Sequence, residues 1–369
     1  MNQKALIDLL HELVAIDTTS GRTEAQRHLQ AHVATTLLEQ DSRFTVSTSP
    51  AASFPWTLVR TEATGPYLLF ACHVDTVPVG NENVWDHPPF SPITRDGVIY
   101  GRGTVDMKGG LVAAASALLQ AASHGKPVAL LMTSDEEIGS LGAPDASASL
   151  TDLDIGAVII PEATENKIIT GHRGALWLEA KSSGRAAHGS TPERGENAAL
   201  KLTSVLERAR TQLPLLADER LGSETWNLGM ISSGTAPNIV PAEASATIDM
   251  RTVNTGDHLL DWWQDQTGLA SVDIVLRLPA LRTDPANPWL QALPAEVSDK
   301  PAPYFTDGSI LSQSLPDTPI VVWGPGVPSQ MHALNEHLPI QSLETATQNF
   351  RGAVQTWQTE QKASTEARY

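Results

Sequence analysis

A single cysteine, Cys72, stands in the whole chain. That excludes an internal disulfide framework and fits a reducing compartment, the cytoplasm being the expected address. Long apolar runs are missing too. None approaches the roughly 20 residues that a membrane-spanning helix needs. Segment 1–13 reads as an amphipathic helix with acids among its apolar residues, whereas a secretory signal has an uninterrupted apolar core and a small-residue cleavage site. Basic residues are few, 25 Lys and Arg against 42 Asp and Glu, for a formal charge of −17. Phosphate binding depends on clustered Lys and Arg, so nucleic acid is excluded as a partner. The chain also has no Gly-x-Gly-x-x-Gly between a strand and a helix, no Gly-x-Ser-x-Gly elbow and no Gly-x-x-x-x-Gly-Lys-Ser/Thr loop. Segment 101–110 is rich in glycine, but its central Asp106 would repel phosphate.

What is present is a run of alternating short apolar strands and helical stretches. Strands are expected at 57–59, 67–72, 128–133, 157–160 and 319–324, and a helix buried on most of its surface at 111–123. Alternation of this kind predicts an α/β fold, a mostly parallel sheet with helices on both faces. At 369 residues the chain is long for one core. Between about 171 and 280 its character changes: strand-like segments 175–181, 226–231 and 245–251 flank a helical stretch near 198–210. This mix predicts a smaller α+β domain inserted between catalytic segments 1–170 and 281–369.

In such sheets ligands bind at the carboxyl ends of strands, and the chemistry-bearing residues fall there. His73 and Asp75 follow the run at 67–72, and positions two apart on a strand share a face. A carboxylate that accepts one ring N–H leaves the other nitrogen free to bind a metal. Asp106 lies in the glycine-rich turn before the buried helix, where it can bridge two ions or serve that helix as a first-turn acid. Glu136 and Glu137 follow the run at 128–133, Glu162 follows 157–160, and His332 follows 319–324. Neighbouring acids point in different directions, so one can hold a metal while the other faces substrate. Asp135, Glu165 and His337 compete with Glu136 or Glu137, Glu162 and His332 for these places. Two divalent ions would offset about four of the excess negative charges.

The combination of His73-Val74-Asp75, Gly101-Arg102-Gly103 through Asp106-Met107-Lys108-Gly109-Gly110, Glu136-Glu137-Ile138-Gly139, Glu162 and His332-Ala333-Leu334-Asn335-Glu336 spans nearly the whole chain. It resembles the dinuclear zinc amidohydrolase and metallopeptidase family of acetylornithine deacetylase, succinyl-diaminopimelate desuccinylase, aminoacylases and glutamate carboxypeptidases. The resemblance implies that His73, Asp106 and Glu162 hold one divalent ion and Asp106, Glu137 and His332 the other. Zn2+ is the expected metal, with Co2+ or Mn2+ as alternatives. Asp75 would orient His73. Glu136 would act as general base and then acid, with a water between the ions attacking an amide carbonyl. A cis peptide bond is implied after Asp106.

The inserted segment would be the family's lid and dimerisation domain. There Arg185 through Pro192 and Gly195 through Ala198 resemble its signature, and His188 would reach a neighbouring subunit's site to stabilise the oxyanion. Asn238, in Pro237-Asn238-Ile239-Val240-Pro241, would face substrate. Arg251, in Asp249-Met250-Arg251, would bind a substrate carboxylate through its planar fork, with Arg173 a second candidate. Thr306-Asp307-Gly308-Ser309 fits a loop near the substrate. The expected activity is hydrolysis of a small N-acyl amino acid, or of a dipeptide by the exopeptidase variant of the same machinery, in a homodimer. A non-catalytic metal-binding relative is the alternative from another class, and it predicts a missing Glu136 or ligand.

Overall fold

The computed structural model describes residues 1–49 and 53–366, with side chains as far as Trp357. It divides into two compact units. The larger comprises 1–171, 282–302 and 306–369, and the smaller 172–281 with 303–305.

In the larger unit six strands form one sheet in the order Thr45–Thr48, Thr57–Arg60, Val128–Thr133, Tyr67–His73, Ile155–Ile160, Ile320–Val322. The four strands from Val128–Thr133 onward are mutually parallel, and the first two pair antiparallel at one edge. Every residue of Tyr67–His73 and of Val128–Thr133 is buried. A strand covered on both faces needs no polar alternation, so these segments read as unbroken apolar runs.

The helix Gly109–Ser123 is buried nearly all round, as its Ala and Leu content requires. The C-terminal helix Ile340–Glu366 buries Leu343, Ala346, Phe350, Ala353, Val354 and Trp357 at helical spacing. Its Phe350 ring lies 5.2 Å from Phe70 of the sheet and 5.3 Å from Trp323. At the N-terminus, Gln3–Ala15 buries Leu6, Leu9, Leu10, Leu13 and Val14, and Asn2 caps it by accepting from the Ala5 amide. The fully buried Lys108 donates to the carbonyls of Leu13 and Ile16 at the far end of this helix. Among the described residues no helix is long and apolar enough to cross a membrane.

The smaller unit is a four-stranded antiparallel sheet in the order Thr225–Ser233, Glu243–Thr252, Gly174–Ser183, Ser271–Leu278. Here burial alternates along Glu243–Thr252, the mark of a sheet covered on one face only. Leu176, Leu178 and Ala180 with Ala246, Ile248 and Met250 make that covered face. Leu202, Val205, Leu206 and Ala209 of the helix Ala198–Gln212 pack on it together with Trp263. The strand Ser271–Leu278 lacked clean alternation in sequence, and a bulge between Ile274 and Leu276 accounts for this.

Candidate metal centre

Because the central strands run parallel, their carboxyl ends share one edge of the sheet. Neighbouring strand ends therefore deliver Glu136 and Glu137, His73, Glu162 and His332 in spatial sequence. Asp106 arrives from the turn that opens the helix Gly109–Ser123, where the Asp106–Met107 peptide bond is cis. Small residues allow the approach. A Cβ at Gly324 would overlap the carbonyls of Pro161 and Glu162, and one at Gly110 would overlap that of Pro161.

Two groups of ligand-type atoms result, His73 with Asp106 and Glu162, and Asp106 with Glu137 and His332, each within 4.8 Å. His73 Nε2 lies 3.1 Å from Asp106 Oδ1 and 3.0 Å from Glu162 Oε1. His332 Nε2 lies 3.1 Å from Asp106 Oδ2 and 2.9 Å from Glu137 Oε2. The two oxygens of Asp106 thus face two different imidazoles. His73, Asp106 and Glu162 are buried, whereas the His332 side chain is about half exposed.

Charge and burial compete here. Burial, reinforced by the Asp106 charge, pushes Glu137 and Glu162 up to about 7. Burial also carries Glu136 well above the usual carboxylate range, with Asp307, Glu137 and Glu162 adding to it. For His73 burial alone would depress the imidazole, but Glu162, Asp106 and Asp75 outweigh it and hold the pKa well above 6.5. His332 rises to about 10 through its contacts with Asp106 and Glu137. Glu136 Oε1, Glu137 Oε1 and Glu162 Oε2 are buried without a hydrogen-bond partner. Buried acids crowded together and left with open oxygens fit a divalent cation, which would supply the missing partner and cancel the repulsion. Mixed imidazole and carboxylate donors suit zinc, cobalt or manganese.

Asp75 is fully buried and does more than its spacing indicated. His73 Nδ1 lies 3.1 Å from the Asp75 carbonyl and 3.4 Å from its carboxylate Oδ1. The same carboxylate accepts from the amides of Glu136 and Glu137 and from the Ser20 hydroxyl. It therefore positions the acid pair as well as the imidazole. Glu336, fully buried in the same region, was matched in sequence only as part of a motif. It accepts from the Gly103, Val105 and Asp106 amides and pairs with Arg102. Sequence alone gives no signal for contacts between backbone amides and an acid more than 200 residues away.

The competing residues lie outside both groups. Asp135 accepts from the Gly21 amide and the Gln26 side chain. Glu165 is exposed, and His337 turns Nδ1 to the Asn335 carbonyl. Asp307 is buried and accepts from Thr133 Oγ1 at 2.6 Å. Cys72 is buried in the sheet, with its thiol pushed up by burial.

The remaining site candidates belong to the smaller unit. His188 is exposed, its Nδ1 2.7 Å from Ser190 Oγ. Its loop pairs with that of Asn238, whose carbonyl accepts from the Gly189 amide. Arg251 is occupied by Asp249 at 3.1 Å and lies over the Phe305 ring. Arg173 donates to the Ser223 carbonyl.

Residues 69–356 match the family model of peptidase family M20/M25/M40. A succinyl-diaminopimelate desuccinylase of Maricaulis maris is 28% identical over 76% of this chain and 79% of its own length. A probable carboxypeptidase of Neosartorya fischeri is 29% identical over 96% of this chain and 87% of its own. Among solved structures, a tripeptidase of Staphylococcus aureus aligns with TM-score 0.75 at 23% identity, over 96% of this chain and 98% of that one. An M20 family metallo-carboxypeptidase of Sulfolobus solfataricus aligns with TM-score 0.76 at 19% identity, over 96% and 99%. The chain belongs to peptidase family M20/M25/M40 and is a metal-dependent hydrolase.

Proposed function

We propose that the chain hydrolyses the amide bond of a small N-acyl amino acid, with His73, Asp106 and Glu162 holding one divalent ion and Asp106, Glu137 and His332 the other. The observation that carries this reading is Asp106, whose two oxygens each face a different imidazole. Zinc is the proposed metal. Bound there, the ions would polarise the scissile carbonyl and lower the pKa of water.

Glu136 is the acid–base group. Its Oε1 has no partner, and burial raises its pKa, so it can take a proton from water and release it to the departing amine nitrogen. Asp75 fixes the loop that carries it through the amides of Glu136 and Glu137. Glu136 and all five ligand residues are present, which speaks against a non-catalytic relative. The carboxypeptidase relative, aligned over 96% of the chain against 76% for the desuccinylase, favours exopeptidase action as the second reading.

In the smaller unit Arg251 is assigned to the substrate carboxylate, Asn238 to substrate contact and His188 to the oxyanion of a neighbouring subunit's reaction. A homodimer is proposed through the strand Thr225–Ser233. It is an edge of its sheet and leaves Leu228, Met230 and Ile231 exposed. A cytoplasmic address accords with one buried thiol and no disulfide.

The test is to strip the metal and assay a panel of N-acyl amino acids, dipeptides and tripeptides with zinc, cobalt or manganese restored. Hydrolysis should vanish on chelation and return with metal. Hydrolysis that survives complete chelation contradicts the mechanism, and the panel separates deacylase from exopeptidase.

A further inference from the structure

We propose that Glu336 is a positioning residue that locks the Asp106 loop to the His332 segment, so that both metal groups are set by one buried carboxylate; this rests on the metal-centre reading above. Its Oε1 accepts from the Val105 amide at 2.7 Å and from the Asp106 amide at 3.1 Å. Its Oε2 accepts from the Gly103 amide at 2.9 Å and from Arg102 Nη1 at 2.7 Å. The side chain is fully buried, so four donors replace the water that an exposed carboxylate would have. Arg102 is itself buried and lies 5.1 Å over the Trp85 ring, which limits its freedom to leave.

The chain path makes these bonds consequential. Glu336 lies four residues after His332, and its carbonyl accepts from the Gly101 amide at 3.0 Å. The segment also rests on Asp86. Its amide donates to Asn335 Oδ1 at 2.8 Å, while Asn335 Nδ2 donates to its carboxylate at 3.0 Å. His332 and Asn335 both have left-handed backbones, φ 61° and 56°. That conformation is unfavourable for a residue with a side chain and persists where surrounding contacts enforce it. Asp106 is the residue common to both metal groups, and its own amide is one of the four donors. Loosening Glu336 should therefore weaken both ions together, whereas loss of a ligand used once would weaken chiefly one.

The test is zinc titration of the metal-free full-length protein against a chromophoric chelator, for wild type, Glu336→Gln, Arg102→Met and Glu224→Gln. Glu224 is the control. It is equally buried, accepts from the Leu216 and Val253 amides and from His258, and belongs to the smaller unit. Wild type should bind two ions. Glu336→Gln should bind both about 10–100-fold more weakly, the usual range for a group that supports metal ligands. Arg102→Met should weaken both by a smaller factor, and it carries the test if Glu336→Gln does not fold. Glu224→Gln should lower the melting temperature and leave both affinities unchanged. Wild-type affinity in folded Glu336→Gln, or in Arg102→Met where it alone folds, overturns the proposal. So does an equal fall in Glu224→Gln. A wild-type protein that binds no zinc overturns the metal-centre reading itself, and its own titration tells that failure apart.

Discussion

The two units set their candidate site residues in different surroundings. In the larger, the acids and imidazoles that could hold a metal follow the central strands, of which Tyr67–His73 and Val128–Thr133 are buried throughout, and backbone amides and neighbouring carboxylates hold them. In the smaller, His188 sits on an exposed loop and Arg251 is paired with a half-buried Asp249. The sheets differ in the same sense. One is parallel in four of its six strands and closed to water along Tyr67–His73 and Val128–Thr133, the other antiparallel, half open, and apolar along one edge. A buried acid cluster is costly to assemble and implies a cation, whereas exposed polar loops hold their shape cheaply and imply contact with something that comes and goes.

The sharpest break of this contrast is Glu136→Gln. Turnover should fall by at least about two orders of magnitude while both ions remain bound, as read by steady-state kinetics beside metal analysis. Unchanged turnover would move the acid–base role elsewhere. Next is His188→Ala. Loss of an oxyanion donor costs about 10²–10³ in kcat, with KM little altered and metal content intact. A wild-type rate would confine the chemistry to the larger unit's own residues.

Core packing comes third. Leu69→Ala in the closed sheet should cost about 2–5 kcal/mol in urea unfolding. Met230→Asp on the open edge should cost no more than about 0.5 kcal/mol of monomer stability yet shift sedimentation from dimer to monomer. Unaltered sedimentation would remove the edge strand from assembly.

Acid sensitivity of the smaller unit is a gentler test. Burial lowers His172 from 6.5 to about 4. Its folded pKa is below the unfolded one, so the unfolded chain takes up the proton first as pH falls. The stability tied to the neutral ring is complete above about pH 6.5 and declines towards pH 4, by up to about 3 kcal/mol. His172→Gln should therefore show a flatter dependence of the urea midpoint between pH 7 and 4. A slope equal to wild type would show that other groups carry it.

Much of the larger unit was legible because its physics is local. Unbroken apolar runs at 67–72 and 128–133, short and bounded by turn residues, read as strands covered on both sides, and the polar residues that follow them fall on one edge. The pairing of Asp106 with both His73 and His332 rests on a motif pattern read along the chain. No single segment encodes it. What stayed hidden was non-local or irregular. The Thr45–Thr48 strand has too little apolar content to declare itself, and Ser271–Leu278 is interrupted by its bulge. Glu336 gathers donors from a loop more than 200 residues earlier. Residues 303–305 join the smaller unit although 282–302 and 306–369 belong to the larger, an excursion that no change in composition marks.

The most direct measurement is an anomalous difference map from crystals grown with zinc and collected at its absorption edge. Two peaks are expected, one within about 2.0–2.2 Å of donor atoms of His73 and Glu162, the other equally close to Glu137 and His332, with Asp106 touching both. A map with no peak beside Asp106, or with zinc bound only elsewhere, would contradict the dinuclear centre.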